Sequence, residues 1–236
     1  MKWVISNLKM NMTLTEILDY EKQLSSIKSK NNLIVCPSFP FLMCFNGNNY
    51  YLGTQNVASQ EDGSLTGEVS ARQLKSLGVG YAIIGHYERR HKLFETNAQI
   101  REKIKVLFAN DICPILCIGE NNYDDDIESC INNDLEEIFS GITNIKNIII
   151  AYEPVWAIGT GNIPKNDYIE RMVNYIKNWF YNKYNVCVDV VYGGSVSVDN
   201  IAVLNEVHNL DGYLLGATCL DIESLKVIVK YMEVQK

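Results

Sequence analysis

The stretch that decides the fold reads Ile148-Ile149-Ile150-Ala151-Tyr152-Glu153-Pro154-Val155-Trp156-Ala157-Ile158-Gly159-Thr160-Gly161. Its first residues, 148–151, form a short apolar run that is typical of a strand covered on both faces. A single carboxylate, Glu153, stands at the tip of this strand, and a stiff proline and a glycine-bearing loop follow it. Beyond the loop lies a helical stripe of apolar residues at Ile169, Met172, Val173, Ile176 and Phe180.

The same strand–loop–helix unit recurs from end to end. Seven further apolar runs are each too short for a helix, and they lie at Trp3–Ile5, Leu33–Cys36, Tyr51–Gly53, Tyr81–Ile84, Pro114–Ile118, Val186–Tyr192 and Gly212–Leu215. Thr13 and Glu16 have the spacing of a capping box. Helical stripes follow at Ile17, Tyr20, Leu24 and Ile27, at Ile100, Ile104, Leu107 and Phe108, and in a last helix over Glu223–Met232.

Eight strand candidates, each followed by helix or loop, predict an α/β fold of the (β/α)8 type, with eight parallel strands ringed by helices. We expect one domain over residues 1–236, because no linker, low-complexity segment or shift in charge marks a second one. An open, doubly wound sheet is the alternative. A GxGxxG motif after the first strand would favour it, and the sequence has none there.

Composition and charge limit the classes of function that the protein could have. The 236 residues are 47% hydrophobic and carry a net charge of -7, which argues against a nucleic-acid surface because phosphate backbones need clustered Lys and Arg. Seven cysteines without a CxxC pair are typical of free thiols in a reducing compartment. The amino-terminal apolar run is too short for a signal peptide, and no stretch of the sequence approaches the length needed to span a membrane. We therefore expect a cytoplasmic protein that binds neither nucleic acid nor membrane.

In such a barrel the chemistry lies at the carboxyl ends of the strands. The candidates at those ends are Asn7 and Lys9 after the first strand, His86 after the fourth, Glu153 after the sixth, and the turns Gly193-Gly194-Ser195 and Gly216-Ala217 after the last two. Each residue alone has an ordinary structural explanation. Together they supply a base, an electrophile, a cation and an anion cradle at one rim.

The chemical roles follow from residue type and place. Glu153 can abstract a proton from a carbon next to a carbonyl, and loop 154–161 behind it can close and exclude water. His86 precedes a segment typical of a helix start, Tyr87-Glu88-Arg89-Arg90, whose positive end disfavours an imidazolium. A neutral His86 could donate a hydrogen bond to a substrate oxygen. Lys9 would place a positive charge where an enediolate develops.

The glycine turns present backbone N–H groups to an anion, and a short helix beginning near Ser195 or Ala217 would add its dipole. These features together predict the isomerisation of a small phosphorylated carbonyl compound. No metal and no organic cofactor is required. Asp124-Asp125-Asp126 is expected to be the solvated start of a helix rather than a metal site.

Longer motifs carry a resemblance to a known family. They are Asn7-Leu8-Lys9-Met10-Asn11, Gln55-Asn56-Val57, Thr66-Gly67-Glu68, Ile84-Gly85-His86, Glu88-Arg89-Arg90, Cys117-Ile118-Gly119-Glu120, the Glu153 loop and Tyr192-Gly193-Gly194-Ser195-Val196. Over essentially its whole length the chain resembles triosephosphate isomerase, a TIM-barrel enzyme of glycolysis and gluconeogenesis. The resemblance implies cofactor-free interconversion of dihydroxyacetone phosphate and D-glyceraldehyde 3-phosphate, by proton transfer through an enediolate.

The resemblance also implies a role for each matching residue. Glu153 would be the base, His86 the electrophile and Lys9 the electrostatic stabiliser, and a neutral histidine is a known property of this family. Glu88 would lie beside the catalytic Lys and His, and Asn7 would orient Lys9 and the substrate. Loop 154–161 would be the lid. Backbone N–H groups would hold the phosphate at Gly159, Ser195, Gly216 and Ala217, with Gly193 and Gly194 in the same turn region.

Members of the family are usually homodimers, and the segment Gln55–Ser70 matches their interdigitating loop. The resemblance implies that Thr66 reaches the region of Asn7 of the partner subunit. Glu68 could pair with Arg89 of the partner subunit. Activity would then need the dimer, although each subunit carries its own base.

Three residues depart from the family pattern. Tyr87 stands where a small Ser usually follows the catalytic His, Leu8 replaces a Trp, and Ala217 replaces the second glycine of the last phosphate turn. Ala217 keeps its N–H, but its Cβ restricts φ. We predict that the Tyr87 ring turns away from Glu153, because the barrel mouth must admit substrate.

Two other functions are compatible with the sequence. A catalytically impaired family member would bind phosphorylated ligands or partners without turnover, and the pair Tyr87 and Ala217 favours it. The intact set Asn7, Lys9, His86, Glu88 and Glu153 opposes it. An aldolase or an isomerase of another sugar phosphate is the second. An aldolase needs a Schiff-base lysine or a metal at the rim, and Lys9 is the only rim lysine found.

Overall fold

The computed structural model describes residues 2–29, 31–123, 126–159 and 163–234. Thr160 and Gly161 of the expected lid, and Asp124 and Asp125, lie outside the described residues. Within these ranges eight parallel strands pair in chain order, and the last closes on the first. They are β1 (Trp3–Asn7), β2 (Asn32–Cys36), β3 (Tyr51–Thr54), β4 (Tyr81–Ile84), β5 (Cys113–Ile118), β6 (Ile149–Tyr152), β7 (Asp189–Tyr192) and β8 (Gly212–Leu215). The (β/α)8 barrel expected from the sequence is confirmed.

Helices cover the outside of the barrel. In the described residues they are α1 (Leu14–Leu24), α2 (Ala71–Ser76), α3 (Tyr87–Lys92), α4 (Asn97–Ala109), α5 (Ile127–Ile138), α6 (Asn166–Tyr184), α7 (Ile201–Leu204) and α8 (Ile222–Val234), with short 3-10 helices at Phe39–Cys44, Val155–Ala157 and Ala217–Leu220. The capping box is confirmed, since the Thr13 N–H donates to the Glu16 carboxylate at 2.7 Å. Ile27 falls beyond the end of α1, although its side chain is buried.

One strand is shorter than its apolar run. The run Val186–Tyr192 predicts a strand over its whole length, but β7 begins at Asp189. Its neighbour β6 begins at Ile149, which pairs with Asp189, so earlier residues have no strand beside them to pair with. Val188 is nevertheless buried against the core. The hydrophobic signal of this segment therefore reports burial and not strand pairing.

The barrel has two layers of apolar side chains. Alternate strand residues point inward, and this inner layer contains Ile5, Ile34, Cys36, Ile83, Ile115, Cys117, Ile149, Ala151, Val191 and Leu214. The residues between them point outward and pack against the helices. Because side chains alternate, Glu153 follows the inward residues Ile149 and Ala151 on the same face. The two-residue period of the strand therefore directs the Glu153 side chain to the interior face, at the mouth of the barrel.

None of the helices in the described parts of the chain combines the length and the apolar character that crossing a bilayer requires.

Candidate active site

A cavity of about 560 Å³ opens at the carboxyl ends of the strands. Glu88 is not part of its lining but contacts Lys9, which is. The other candidates for the site named from the sequence all line the cavity: Asn7, Lys9, His86, Glu153, Gly159, Gly193, Gly194, Ser195, Gly216 and Ala217. These residues follow β1, β4, β6, β7 and β8, so the closed barrel gathers distant parts of the chain at one rim. The cavity is large enough for a small ligand.

Glu153 lies at the floor of this cavity with only 2% of its surface exposed. Its backbone N–H donates to the Ile118 carbonyl at 2.8 Å, which extends the pairing of β6 with β5 past the end of the strand. A Cβ on Gly193 would lie 2.7 Å from the Glu153 Cγ. The glycine expected in a phosphate turn therefore has a second role, since its missing side chain makes room for the carboxylate.

The surroundings of Glu153 shift its protonation equilibrium. Burial raises the pKa of the Glu153 carboxyl above its ordinary value of 4.5, and His86, the Cys117 thiol, the Tyr87 N–H and Lys9 oppose that rise without cancelling it. A raised pKa makes a carboxylate a stronger base once it has lost its proton. It also means that ionised Glu153 is destabilised by the folded protein relative to water.

This shift predicts a pH-dependent difference in stability between the protein and its Glu153→Gln variant. Well below pH 4.5 the carboxyl is protonated in both states and contributes no difference. Between pH 4.5 and the raised pKa, the unfolded chain loses its proton while the native chain keeps it, so the wild type loses stability relative to Gln as the pH rises, and the difference is constant above the raised pKa. Melting temperatures from pH 4 upward should show the variant gaining an advantage. An advantage for the wild type that grows with pH would mean that the pKa is lowered.

His86 caps the start of α3 and is 6% exposed. Its Nδ1 accepts a hydrogen bond from the Glu88 N–H at 3.3 Å. A nitrogen that accepts carries no proton, so the neutral tautomer has its N–H at Nε2. This Nε2 lies 3.6 Å from the Glu153 Oε1 and faces the cavity. The helix start thus fixes both the orientation of the ring and the tautomer that can donate to a ligand.

Lys9 has a left-handed backbone, with φ of 51°, which turns its side chain back over the rim. Its N–H donates to the Asn7 Oδ1 at 3.1 Å, and its Nζ lies 2.8 Å from the Glu88 Oε1. Partial burial would raise the pKa of Glu88, but the Lys9 hydrogen bond and nearby positive charge lower it overall. Asn7 therefore fixes the Lys9 backbone, and Glu88 holds the ammonium group.

The two glycine turns complete the cavity wall. Gly159 has a left-handed φ of 68°, and the Ser195 hydroxyl donates to the Ala157 carbonyl at 2.8 Å, which joins the turn after β7 to the loop after β6. A Cβ on Gly216 would lie 3.4 Å from the Lys9 Cε. Ala217 is exposed at the rim, so its Cβ meets no packed side chain there. The turns and the cation share one side of the cavity, as an anion site requires.

Comparison with known proteins agrees with this geometry. The sequence profile described as "Triosephosphate isomerase" matches residues 2–232. The chain is 36% identical to the triosephosphate isomerase of Wolbachia sp. subsp. Brugia malayi (strain TRS), over 98% of this chain and 97% of that one. It is 34% identical to the enzyme of Endomicrobium trichonymphae, over 95% and 96% of the two chains. The protein belongs to the triosephosphate isomerase family.

Tyr87 is the departure from the triosephosphate isomerase pattern that lies nearest to the base. Its ring centroid is 5.3 Å from that of His86 and 6.3 Å from that of His91. Its backbone N–H is a hydrogen-bond partner of Glu153, whereas no hydrogen bond joins the phenol to Glu153 in the described residues. The absence of that hydrogen bond agrees with the expectation, but Tyr87 lines the cavity and its ring centroid lies 6.0 Å from the Lys9 Nζ. The base thus keeps a main-chain donor at this position despite the loss of the usual serine.

Sequence reasoning gave no role to two polar residues that the structure places around the site. The Gln55 side-chain amide donates to the Lys9 and Cys36 carbonyls, each at 2.9 Å, and so supports the turn that carries Lys9. Glu120 is 1% exposed and accepts hydrogen bonds from side chains on both sides of Glu153. Both residues stand in quoted family motifs, but their contacts cross tens of residues and could not be predicted from spacing.

The residues expected at a subunit interface lie apart from the cavity. Thr66 and Glu68 are exposed on the loop between β3 and α2. Arg89 lies 3.3 Å from Glu95 within its own chain. Several large apolar side chains are exposed, among them Met10 (96%), Met43 (83%) and Phe94 (80%).

Proposed function

We propose that this protein is a triosephosphate isomerase that interconverts dihydroxyacetone phosphate and D-glyceraldehyde 3-phosphate without a cofactor. The observation that carries the proposal is the position of Glu153 and His86. A buried carboxylate with a raised pKa lies 3.6 Å from an imidazole nitrogen that bears the proton, and both face one cavity. Membership of the triosephosphate isomerase family supports the same activity.

In the proposed reaction Glu153 removes a proton from the carbon next to the substrate carbonyl. The C–H electron pair forms the carbon–carbon double bond of an enediolate, and the carbonyl π pair moves onto oxygen. His86 donates its Nε2–H to the oxygen that carries the developing charge, and Lys9 stabilises that charge. Glu153 then returns a proton to the neighbouring carbon, and transfer of a proton between the two oxygens completes the isomerisation.

The proposal assigns phosphate binding to backbone N–H groups of Gly159, Ser195, Gly216 and Ala217. Support comes from their place on the cavity wall beside Lys9. Binding energy from the non-reacting phosphate can be used to orient the carbon acid against Glu153. Loop 154–161 is proposed to cover the bound substrate, with Thr160 and Gly161 outside the described residues.

The experiment that tests this function is turnover of D-glyceraldehyde 3-phosphate by the purified protein, in an assay coupled to reduction of dihydroxyacetone phosphate. We expect fast turnover without added metal or cofactor, and no change after treatment with a chelator. A folded protein that binds inorganic phosphate but does not turn over the substrate would contradict the proposal. That result would favour the catalytically impaired binding protein, with Tyr87 and Ala217 as the residues to revert.

We also propose that the active form is a cytoplasmic homodimer. Family membership supports an interface at the loop containing Thr66 and Glu68, and both residues are exposed there. The proposed partners are a phosphorylated triose and a second copy of this chain, with no nucleic acid and no membrane.

The dimer predicts a large effect from a surface substitution. Thr66→Arg would bury an unpaired charge where we place the partner subunit, so it is expected to give monomers and lower turnover at least about tenfold, since an uncompensated buried charge costs several kcal/mol. Sedimentation equilibrium and the coupled assay measure both effects. Thr143→Arg, also exposed but on the loop before β6, is the matched control. A Thr66→Arg protein that stays dimeric and active would refute this interface.

A further inference from the structure

Tyr87 lines the cavity, but its side chain has no part in the mechanism above. Its ring centroid lies 6.0 Å from the Lys9 Nζ, at the edge of the range over which an aromatic face attracts an ammonium group. The same ring packs against His86, with centroids 5.3 Å apart and planes at 49°. One side chain therefore contacts both the cation and the electrophile of the proposed reaction.

The Tyr87 ring is itself held in place by its surroundings. Tyr87 is the first residue of α3 and directly follows the N-cap His86. Its backbone N–H donates a hydrogen bond to Glu153, which ties the start of the helix to the base. His91 lies one turn further along α3, and its ring centroid is 6.3 Å from that of Tyr87. A ring that is already ordered in this way can restrict a flexible lysine side chain without a further loss of its own freedom.

Glu88, the next residue of α3, contacts the same two groups as the Tyr87 ring. Its Oε1 lies 2.8 Å from the Lys9 Nζ, and its Oε2 lies 3.5 Å from the His86 Nδ1. The Lys9 and Glu88 side chains are 27% and 31% exposed, and an ion pair this open to water orders its partners only weakly. The carboxylate alone therefore leaves the ammonium group free to move, and the Tyr87 ring supplies a second contact that restricts it.

We propose that Tyr87 is a positioning residue of the isomerase, whose ring holds the Lys9 ammonium group at the cavity, where that group stabilises the developing enediolate. The inference rests on the proposed function. The attraction comes from the negative face of the aromatic ring, so it does not need the hydroxyl group. Lysine carries its charge on a flexible four-carbon stem. An ammonium group that is ordered before the substrate arrives needs no reorganisation when charge develops, so the ring acts on the reaction through Lys9.

Substitutions that change the electrons of the ring separately from its size test the proposal. Tyr87→Phe keeps the aromatic face and should keep kcat/KM within about twofold of the wild type. Tyr87→Leu removes the face and should lower kcat/KM about fivefold, mainly through kcat, the loss of one cation–π contact. Phenylalanines with increasing numbers of fluorine atoms at position 87 keep the shape of the ring and draw electrons from its face. Because they change little else, kcat/KM should fall stepwise along that series. Tyr181→Leu, at an exposed position on α6, is the matched control.

An NMR measurement that needs no turnover lets the two proposals fail separately. An aromatic face beside Lys9 shifts the signal of its ε-methylene group upfield, and the signal is assigned as the one missing from Lys9→Met. We expect the upfield signal in the wild type and in Tyr87→Phe, but not in Tyr87→Leu. That pattern with an inactive wild type would refute the isomerase and support the contact. An unshifted signal in the wild type would refute the contact. In an active wild type, kcat/KM that is constant along the fluorine series, or that falls equally in Tyr87→Phe and Tyr87→Leu, would refute the positioning role.

Discussion

Glu153→Gln is expected to lower kcat by about 10³-fold, the contribution of a well-placed general base. Gln has nearly the shape of Glu and can fill the same space beside Gly193, so substrate binding should change little. The variant should also be at least as stable as the wild type at neutral pH, because burial raises the pKa of Glu153 and ionised Glu153 destabilises the folded state. Loss of activity with a gain in stability is typical of a functional residue.

Kinetics and thermal unfolding measure these two effects on the same protein samples. Glu206→Gln changes an exposed glutamate just beyond the end of α7; it is the matched control and should leave both quantities unchanged. A Glu153→Gln protein that turns over at the wild-type rate would remove Glu153 from the role of base. A protein that loses both activity and stability would show a structural role instead.

Lys9→Met is expected to lower kcat/KM by about 10²- to 10³-fold, the cost of losing one group that stabilises charge in the transition state. Met keeps most of the length of the side chain and removes the ammonium, which lies 2.8 Å from Glu88. The pKa of Glu88 should rise towards its ordinary value when that partner is lost. The loss should appear mainly in kcat if the charge acts on the enediolate.

Lys92→Met is the matched control for the charge. Lys92 also lowers the pKa of Glu88, but it is exposed at the end of α3 and is not part of the cavity lining. If Lys92→Met lowers kcat as much as Lys9→Met does, the effect of Lys9 is a long-range one. Addition of salt should weaken a long-range effect and leave a contact effect nearly unchanged.

The barrel could be predicted because its signals are local. Each strand is a short apolar run, each helix has a stripe of apolar residues, and the two alternate along the chain. The exception is Val186–Tyr192, where the apolar run begins before the first residue of β7, Asp189. Apolar sequence reports burial, whereas strand bounds depend on where the neighbouring strand begins.

The candidate site could be predicted for a different reason. A closed parallel barrel brings the carboxyl ends of all its strands to one rim, so a polar residue just after a strand has a known place. Lys9, His86 and Glu153 all follow that rule. Their roles also depended on the family resemblance, since each residue alone has a structural explanation.

Side-chain contacts between different strand–helix units of the barrel could not be predicted from the sequence. Glu120 meets Tyr152 and Tyr168, which are 32 and 48 residues away, and nothing in the spacing pairs them. The role of Gly193 was missed similarly, because a close approach by Glu153 depends on how two neighbouring turns pack. Such features belong to tertiary packing and leave no periodic signal in the sequence.

The most direct test of the account is isomerisation in deuterium oxide, followed by NMR of the product. Proton removal by Glu153 forms an enediolate, and the acid proton on Glu153 can exchange with solvent before it returns to carbon. We predict that wild-type product carries deuterium at the carbon that receives the proton, and that Glu153→Gln forms no deuterated product above the uncatalysed rate. Full turnover with no deuterium at that carbon would indicate a direct hydride shift and would contradict the role of Glu153 as base.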